Sequence, residues 1–285
     1  MATVKGSMNA MKQEGKQAMK EAAYSPTVER LTRLGYAVKG FLYLAIGFTA
    51  IAGAMGKSKT PADQMGAIAS LTKHPYAEPV LWIILIGLVG YSLWGVTRAI
   101  LDPFHKGSDL KGLLARAGYL ISAATYASFA IATYQILQGA RHGSSTNNLV
   151  QMVGKVMNMP MGRWIVGAIG VAAVAAGLYQ VYSGIKKDFE KTFDPYALDA
   201  EQRRVAVQVG RFGMIARGIV FAITGGFLVL AAYQANPGSA KGFDGAFRFL
   251  AHQPYGLYLL GIIAAGLMAF GIYSLMSAAW FRLKR

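Results

Sequence analysis

The sequence predicts an all-α membrane protein. Six transmembrane helices are expected as three parallel two-helix repeats with a pseudo-threefold arrangement, with short amphipathic outer-face helices in the odd-numbered loops. Three observations carry that expectation. Of 285 residues, 54% are hydrophobic and only 15% are charged, against roughly 25% charged in a soluble domain. Six apolar segments each reach the ~20 residues that cross a bilayer core as a helix. One basic, glycine-bearing stretch occurs three times along the chain.

The six segments run over Gly35–Met55, Val80–Leu101, Gly118–Leu137, Trp164–Ile185, Gly213–Tyr233 and Leu257–Phe281. Hydrocarbon offers the backbone no water to bond, so each segment must satisfy its own N–H and C=O groups as a helix. Ahead of them, Lys12, Lys16 and Lys20 fall at i, i+4 spacing in a tail that is either a basic surface helix or unstructured. Ser25-Pro26 then has the form of an N-cap and first-turn proline. The outer linkers "GAIASLTKHPY" (66–76) and "GAFRFLAHQPY" (245–255) match, with "NNLVQMVGKVMNMP" (147–160) a looser copy. Asp63 and Asp244 are expected to cap short helices there. At the other face Asp102-Pro103 ends the second span and Asp194-Pro195 interrupts the fourth connection. Asp199 and Gln202 have capping-box spacing for an extended fifth helix. The chain therefore divides into a basic tail (1–27) and repeats at 28–101, 102–185 and 186–285.

The formal net charge is +16, from 29 Lys+Arg against 13 Asp+Glu. Its placement is more informative than its size. One face holds 21 of the 29 basic residues: the tail through Lys39, the Arg98–Arg116 region, the Lys186–Arg217 region and the C-terminal tail. By the positive-inside rule both termini are cytoplasmic. The basic excess is then topological, its expected neighbours are the lipid bilayer and anionic phospholipids, and no nucleic-acid partner is expected. The first 24 residues contain no apolar signal core, so the first span is expected to act as the insertion signal.

The recurrent stretch reads "RLGYAVKGFLYLAIG" from Arg33, "RAGYLISAATYASFA" from Arg116 and "RFGMIARGIVFAITG" from Arg211. Glycines follow at 35, 118 and 213, then Lys39, Ser122 and Arg217. Three further sets, Gly40, Tyr43, Gly47; Ala123, Tyr126, Ala130; and Gly218, Phe221, Gly225, share one helix face at i, i+3, i+7. Small residues on such a stripe let another backbone approach while the ring fills the middle. The even helices repeat as well. Pro75, Pro160 and Pro254 precede them, followed by Gly87, Tyr91, Trp94; Ala172, Ala176, Tyr179; and Gly266, Phe270, Tyr273.

These openings, the Pro-led even helices and the "PMGRW" entry at Met161, Gly162, Arg163 and Trp164 resemble a bacterial integral-membrane family catalogued as domain of unknown function 1206. The resemblance covers residues 28–285 and implies three two-helix units in a bacterial inner membrane, with no activity to carry over. Ser122 in place of a basic residue and the long N-terminal tail depart from its pattern.

The basic residues inside the first and fifth spans allow two orientations. Lys39 lies six residues, about 9 Å, beyond Arg33, and helix side chains lean toward the N-terminus. Snorkelling of Lys39 and Arg217 to lipid phosphates is the favoured expectation. In the other orientation Arg33, Lys39, Arg116, Arg211 and Arg217 gather toward the bundle axis as an anion or lipid-headgroup site, with Tyr43 and Phe221 placed for cation–π contact.

Other chemistry lacks its residues. The four histidines, His74, His105, His142 and His252, all lie in connections, so no bis-His haem or metal site is expected. Zero cysteines remove thiolate chemistry. No span carries a central Asp or Glu for a proton relay, and parallel repeats are not the inverted repeats of alternating access. No catalytic triad or phosphate loop is recognisable. The expectation is a protein without enzymatic activity or cofactor, acting as an interaction, scaffold or accessory subunit beside a membrane-protein partner. The alternative is a binder of an anion or anionic headgroup, or a small channel.

Overall fold

A computed structural model describes residues 26–55, 62–72, 75–102, 107, 109–139, 145–186 and 199–280. The tail lysines, Ser25, Pro103, Asp194-Pro195, His74, His105 and His142 lie outside them. The described residues are helical, without strands. Six long helices are apolar enough to cross a membrane: α1 (Pro26–Ala54), α3 (Ala77–Leu101), α4 (Leu110–Leu137), α6 (Gly162–Lys186), α7 (Ala200–Gln234) and α9 (Gly256–Trp280). Three short helices occupy the odd-numbered loops: α2 (Gln64–Leu71), α5 (Ser145–Met157) and α8 (Phe243–Ala251). α2 and α8 each touch α5, so the three gather at one end of the bundle.

The helix ends follow from local chemistry. Asp63 caps α2 by accepting the Gly66 N–H at 2.7 Å. Asp199 and Gln202 form the capping box that starts α7 well before its apolar core. Asp244 corrects the sequence expectation. The N-cap of α8 is Gly242, and Asp244 sits in the first turn. There it pairs with Arg248 at 3.0 Å and accepts the Ala62 N–H at 3.3 Å. It therefore ties the loop of α2 to the loop of α8, a long-range use that local spacing does not reveal.

The Pro-led turns share a conformation in two repeats. Met161 and Tyr255 both have φ of 58°, in the left-handed region. Gly162 and Gly256 follow, each facing a carbonyl of the preceding short helix so closely that a Cβ has no room.

The spans pack in the spatial order α4, α3, α1, α9, α7, α6. Small residues set the close approaches. Gly40 and Gly47 of α1 face the Gly271 and Ala264 carbonyls of α9, and Gly218 and Gly225 of α7 face the Gly177 and Gly170 carbonyls of α6. Gly95 of α3 faces Ala123 of α4, where the Ser92 hydroxyl also donates to the Ala123 carbonyl at 2.9 Å. The packing stripe of each odd helix thus lies on an even helix of the preceding repeat, with α1 closing onto α9.

Gly35 and Gly213 make a second kind of contact, within a repeat. Gly35 lies on Gly87 and Tyr91 of α3, and Gly213 on the Phe270 backbone of α9. A closed threefold ring of two-helix units needs a third such contact, between α4 and α6. Among the described residues those two helices form no comparable interface. Gly118, the equivalent of Gly35, has no described residue within 4 Å of where a Cβ would be. Among the described residues the bundle is a series of five packed span pairs with a seam at repeat 2, so they do not close a pseudo-threefold ring.

Candidate functional site

Lys39 and Arg217 point into the bundle, which overturns the snorkelling orientation. Lys39 is 7% exposed, and its Nζ donates to the Tyr91 hydroxyl at 3.0 Å. The same Nζ lies 5.0 Å from the ring centres of both Tyr91 and Phe270, and about 6 Å from those of Tyr36 and Tyr126. Arg217, partly buried, donates from Nε to the Tyr43 hydroxyl at 2.9 Å and from Nη1 to Gln180 Oε1 at 3.0 Å. Its guanidinium is 4.9 Å from the ring centres of both Phe221 and Phe270. The Phe270 ring therefore serves two cations.

A third cation completes the group. Arg98, 8% exposed, lies 4.6 Å from the Tyr119 ring centre, 5.6 Å from Tyr91 and 5.7 Å from Trp94. Its Nε is buried without a hydrogen-bond partner. In sequence, Arg98 counts only among the basic residues of the face with the larger positive charge, at the end of the second span. The signal that finds it is its spacing, seven residues after Tyr91 and four after Trp94, which puts it on their helix face.

The rings are mutually packed. Tyr91 and Tyr126 centroids are 4.5 Å apart, Tyr43 and Phe270 4.7 Å, Tyr36 and Tyr91 5.3 Å. All six spans contribute: Lys39 from α1, Arg98 from α3, Tyr126 from α4, Gln180 from α6, Arg217 from α7 and Phe270 from α9. Among the described residues no carboxylate pairs with any of the three cations. A cation–π contact contributes about 2 kcal/mol when desolvated. Removing an ion from water costs several kcal/mol even after relaxation. Rings and hydroxyls thus offset only part of the cost of three like charges, and among the described residues no carboxylate supplies a counter-charge.

The other candidate arginines do different work. Arg33 Nη2 donates to the Ala279 carbonyl at 2.7 Å. Arg116 donates from Nε to the Ala99 carbonyl and from Nη2 to the Ile100 carbonyl. Arg163 does the same to Ala232 and Tyr233 at 2.6 and 2.7 Å. Each reaches the last turn of a neighbouring span, where carbonyls run short of i+4 donors and the helix dipole is negative. They are clamps between helix ends, and Arg33 and Arg116 stand apart from the interior cluster. Arg211 has no such carbonyl among the described residues. His252 donates from Nδ1–H to the Arg248 carbonyl, 2.6 Å away at the end of α8.

The Domain of Unknown Function (DUF1206) family model matches residues 34–102, 117–187 and 212–280, the three repeats whose helices build this cluster. The chain belongs to that family. It is 33% identical over 273 residues to the uncharacterised protein YxxB of Bacillus subtilis (strain 168), covering 96% of this chain and 95% of the relative. No solved structure matches. This DUF1206 protein is thus a multi-pass membrane protein of three repeats, and what it does must be argued from its interior.

Proposed function

We propose that this protein binds a phosphate-bearing anion inside its bundle, on Lys39, Arg98 and Arg217. The observation that carries this reading is the shared Phe270 ring. Two cations lie 5.0 and 4.9 Å from it, with no carboxylate among the described residues to balance them. Uncompensated charge within a span is expensive, and its usual explanation is a ligand or ion path. Guanidinium groups match phosphate oxygens geometrically, and the lysine adds a compact charge. A lipid headgroup and soluble phosphate share this chemistry.

The accessory-subunit reading took its force from spans without internal chemistry. With two buried cations and a partly buried third there, binding takes precedence. A membrane-protein partner is then identified, or not, by mass spectrometry of the same preparation. The charge asymmetry supports a cytoplasmic location for the end where α1 starts and α9 stops, in a bacterial inner membrane.

The test compares wild type with the Lys39→Gln/Arg217→Gln variant after mild-detergent extraction. Native mass spectrometry counts bound phosphatidylglycerol and phosphatidylcholine, and competition with inorganic phosphate separates the two ligand sources. Wild type retains the anionic ligand, and the variant weakens it about tenfold or more, equivalent to 1.4 kcal/mol. Equal retention of every anion by both proteins contradicts the proposal.

A further inference from the structure

Resting on that reading, we propose that the seam between α4 and α6 is the lateral entrance to the cation cluster and that its occupant is an anionic phospholipid. The headgroup sits at Lys39, Arg98 and Arg217, and the acyl chains lie along the seam.

The seam is what remains where repeat 2 fails to repeat. Ile121 is 69% exposed, whereas its equivalents Val38 and Ala216 are 5% and 2% exposed. Tyr179 is 65% exposed and its equivalent Trp94 is 1%. Ala172 and Ala176 are exposed, where Gly87, Tyr91, Gly266 and Phe270 are buried. Both faces that would meet are therefore present, apolar and uncovered.

The same repeat also leaves gaps in the cluster. Ser122 stands where the other repeats place Lys39 and Arg217, and Ala176 where they place the cation-facing rings Tyr91 and Phe270. Repeat 2 thus contributes neither the cation nor the even-helix ring. On the seam side the cluster is bounded by Tyr119 and Tyr126 of α4 and by Gln180 of α6, helices that do not close on each other. A ligand entering here passes from hydrocarbon to cations. That path needs acyl chains at one end and an anion at the other, the chemistry of an anionic phospholipid. A second protein helix or a second copy supplies apolar cover without the anion.

Gly118→Trp/Ala176→Trp fills the seam from both walls, while Ile131→Trp/Leu178→Trp adds the same bulk on exposed positions away from it. Bound phosphatidylglycerol and inorganic phosphate are measured for each. The seam variant is expected to lose phosphatidylglycerol at least tenfold while binding phosphate as wild type does, and the control pair keeps both. Undiminished phosphatidylglycerol in the seam variant overturns the entrance but leaves the interior site standing. Loss of a dimer with lipid binding intact also overturns it, making the seam an interface between copies. Loss of both ligands in Lys39→Gln/Arg217→Gln belongs to the interior site alone.

A second measurement does not depend on the tryptophan variants folding. The sequence has no cysteine, so Gly118→Cys carries a photoreactive benzophenone uniquely. It is expected to capture phosphatidylglycerol several-fold over phosphatidylcholine. Capture without preference, matching that from Ile131→Cys, overturns the proposal.

Discussion

Lys39 shows how little of a buried charge's environment lies near it in sequence. Its own helix supplies Arg33 six residues back and a lean toward the headgroups, and both favour snorkelling. What turns it inward is the Tyr91 hydroxyl, 52 residues away in the chain, and Phe270 from another repeat. Neither contact is legible from the periodicity around Lys39. Arg98 was legible in principle, because its spacing from Tyr91 and Trp94 is local. A residue-scale prediction follows from the hydrogen bond. Tyr91→Phe keeps the ring over Lys39 and removes the acceptor, so thermal unfolding in detergent should show a loss of about 1.5–3 kcal/mol, the range for hydrogen bonds to charged groups. An unchanged midpoint would mean that the hydroxyl does not hold the lysine.

The repeats were legible at the scale of elements, because small–aromatic–small stripes encode which helix can approach which. The stripes at Gly40–Gly47 and Gly218–Gly225 do face neighbouring backbones. The capping box at Asp199 is also where its spacing put it. Asp244 was not legible, since its partner Ala62 lies 182 residues away. Nor were the arginine clamps, because a helix end seeking a donor leaves no mark at the donor's position. Two predictions belong here. Arg163→Ala strips two carbonyls at the end of α7 of a charged donor and should lower the unfolding midpoint, with Arg163→Lys restoring part of the loss. Gly213→Leu drives a side chain into the Phe270 backbone, whereas Gly118→Leu meets open space. The first should cost several kcal/mol, beyond the 1–3 kcal/mol typical of overpacking because backbone must move. The second should be near neutral in the same assay. Equal effects would show that α4 and α6 close on each other in the membrane.

For the whole molecule, sequence gave the span count and the three units, because hydropathy and repetition are properties of the chain alone. The seam is a property of the assembly. It lies where repeat 2 carries Ala176 at the position of Tyr91 and Ser122 at that of Lys39, and weak letters in one copy do not announce an unmade interface. Orientation is testable with the absent cysteines. Glu201→Cys, at the end that carries the termini, should be shielded from a membrane-impermeant maleimide in intact cells, and Lys241→Cys, at the short-helix end, should be labelled. The reverse pattern would invert the assignment. The most direct measurement is an experimental density map of the protein in nanodiscs rich in phosphatidylglycerol. A headgroup within hydrogen-bonding distance of Lys39, Arg98 or Arg217, its chains leaving between α4 and α6, is the expected result. Lys39 and Arg217 turned out to the bilayer surface, with α4 packed on α6 and no anion inside, would contradict it.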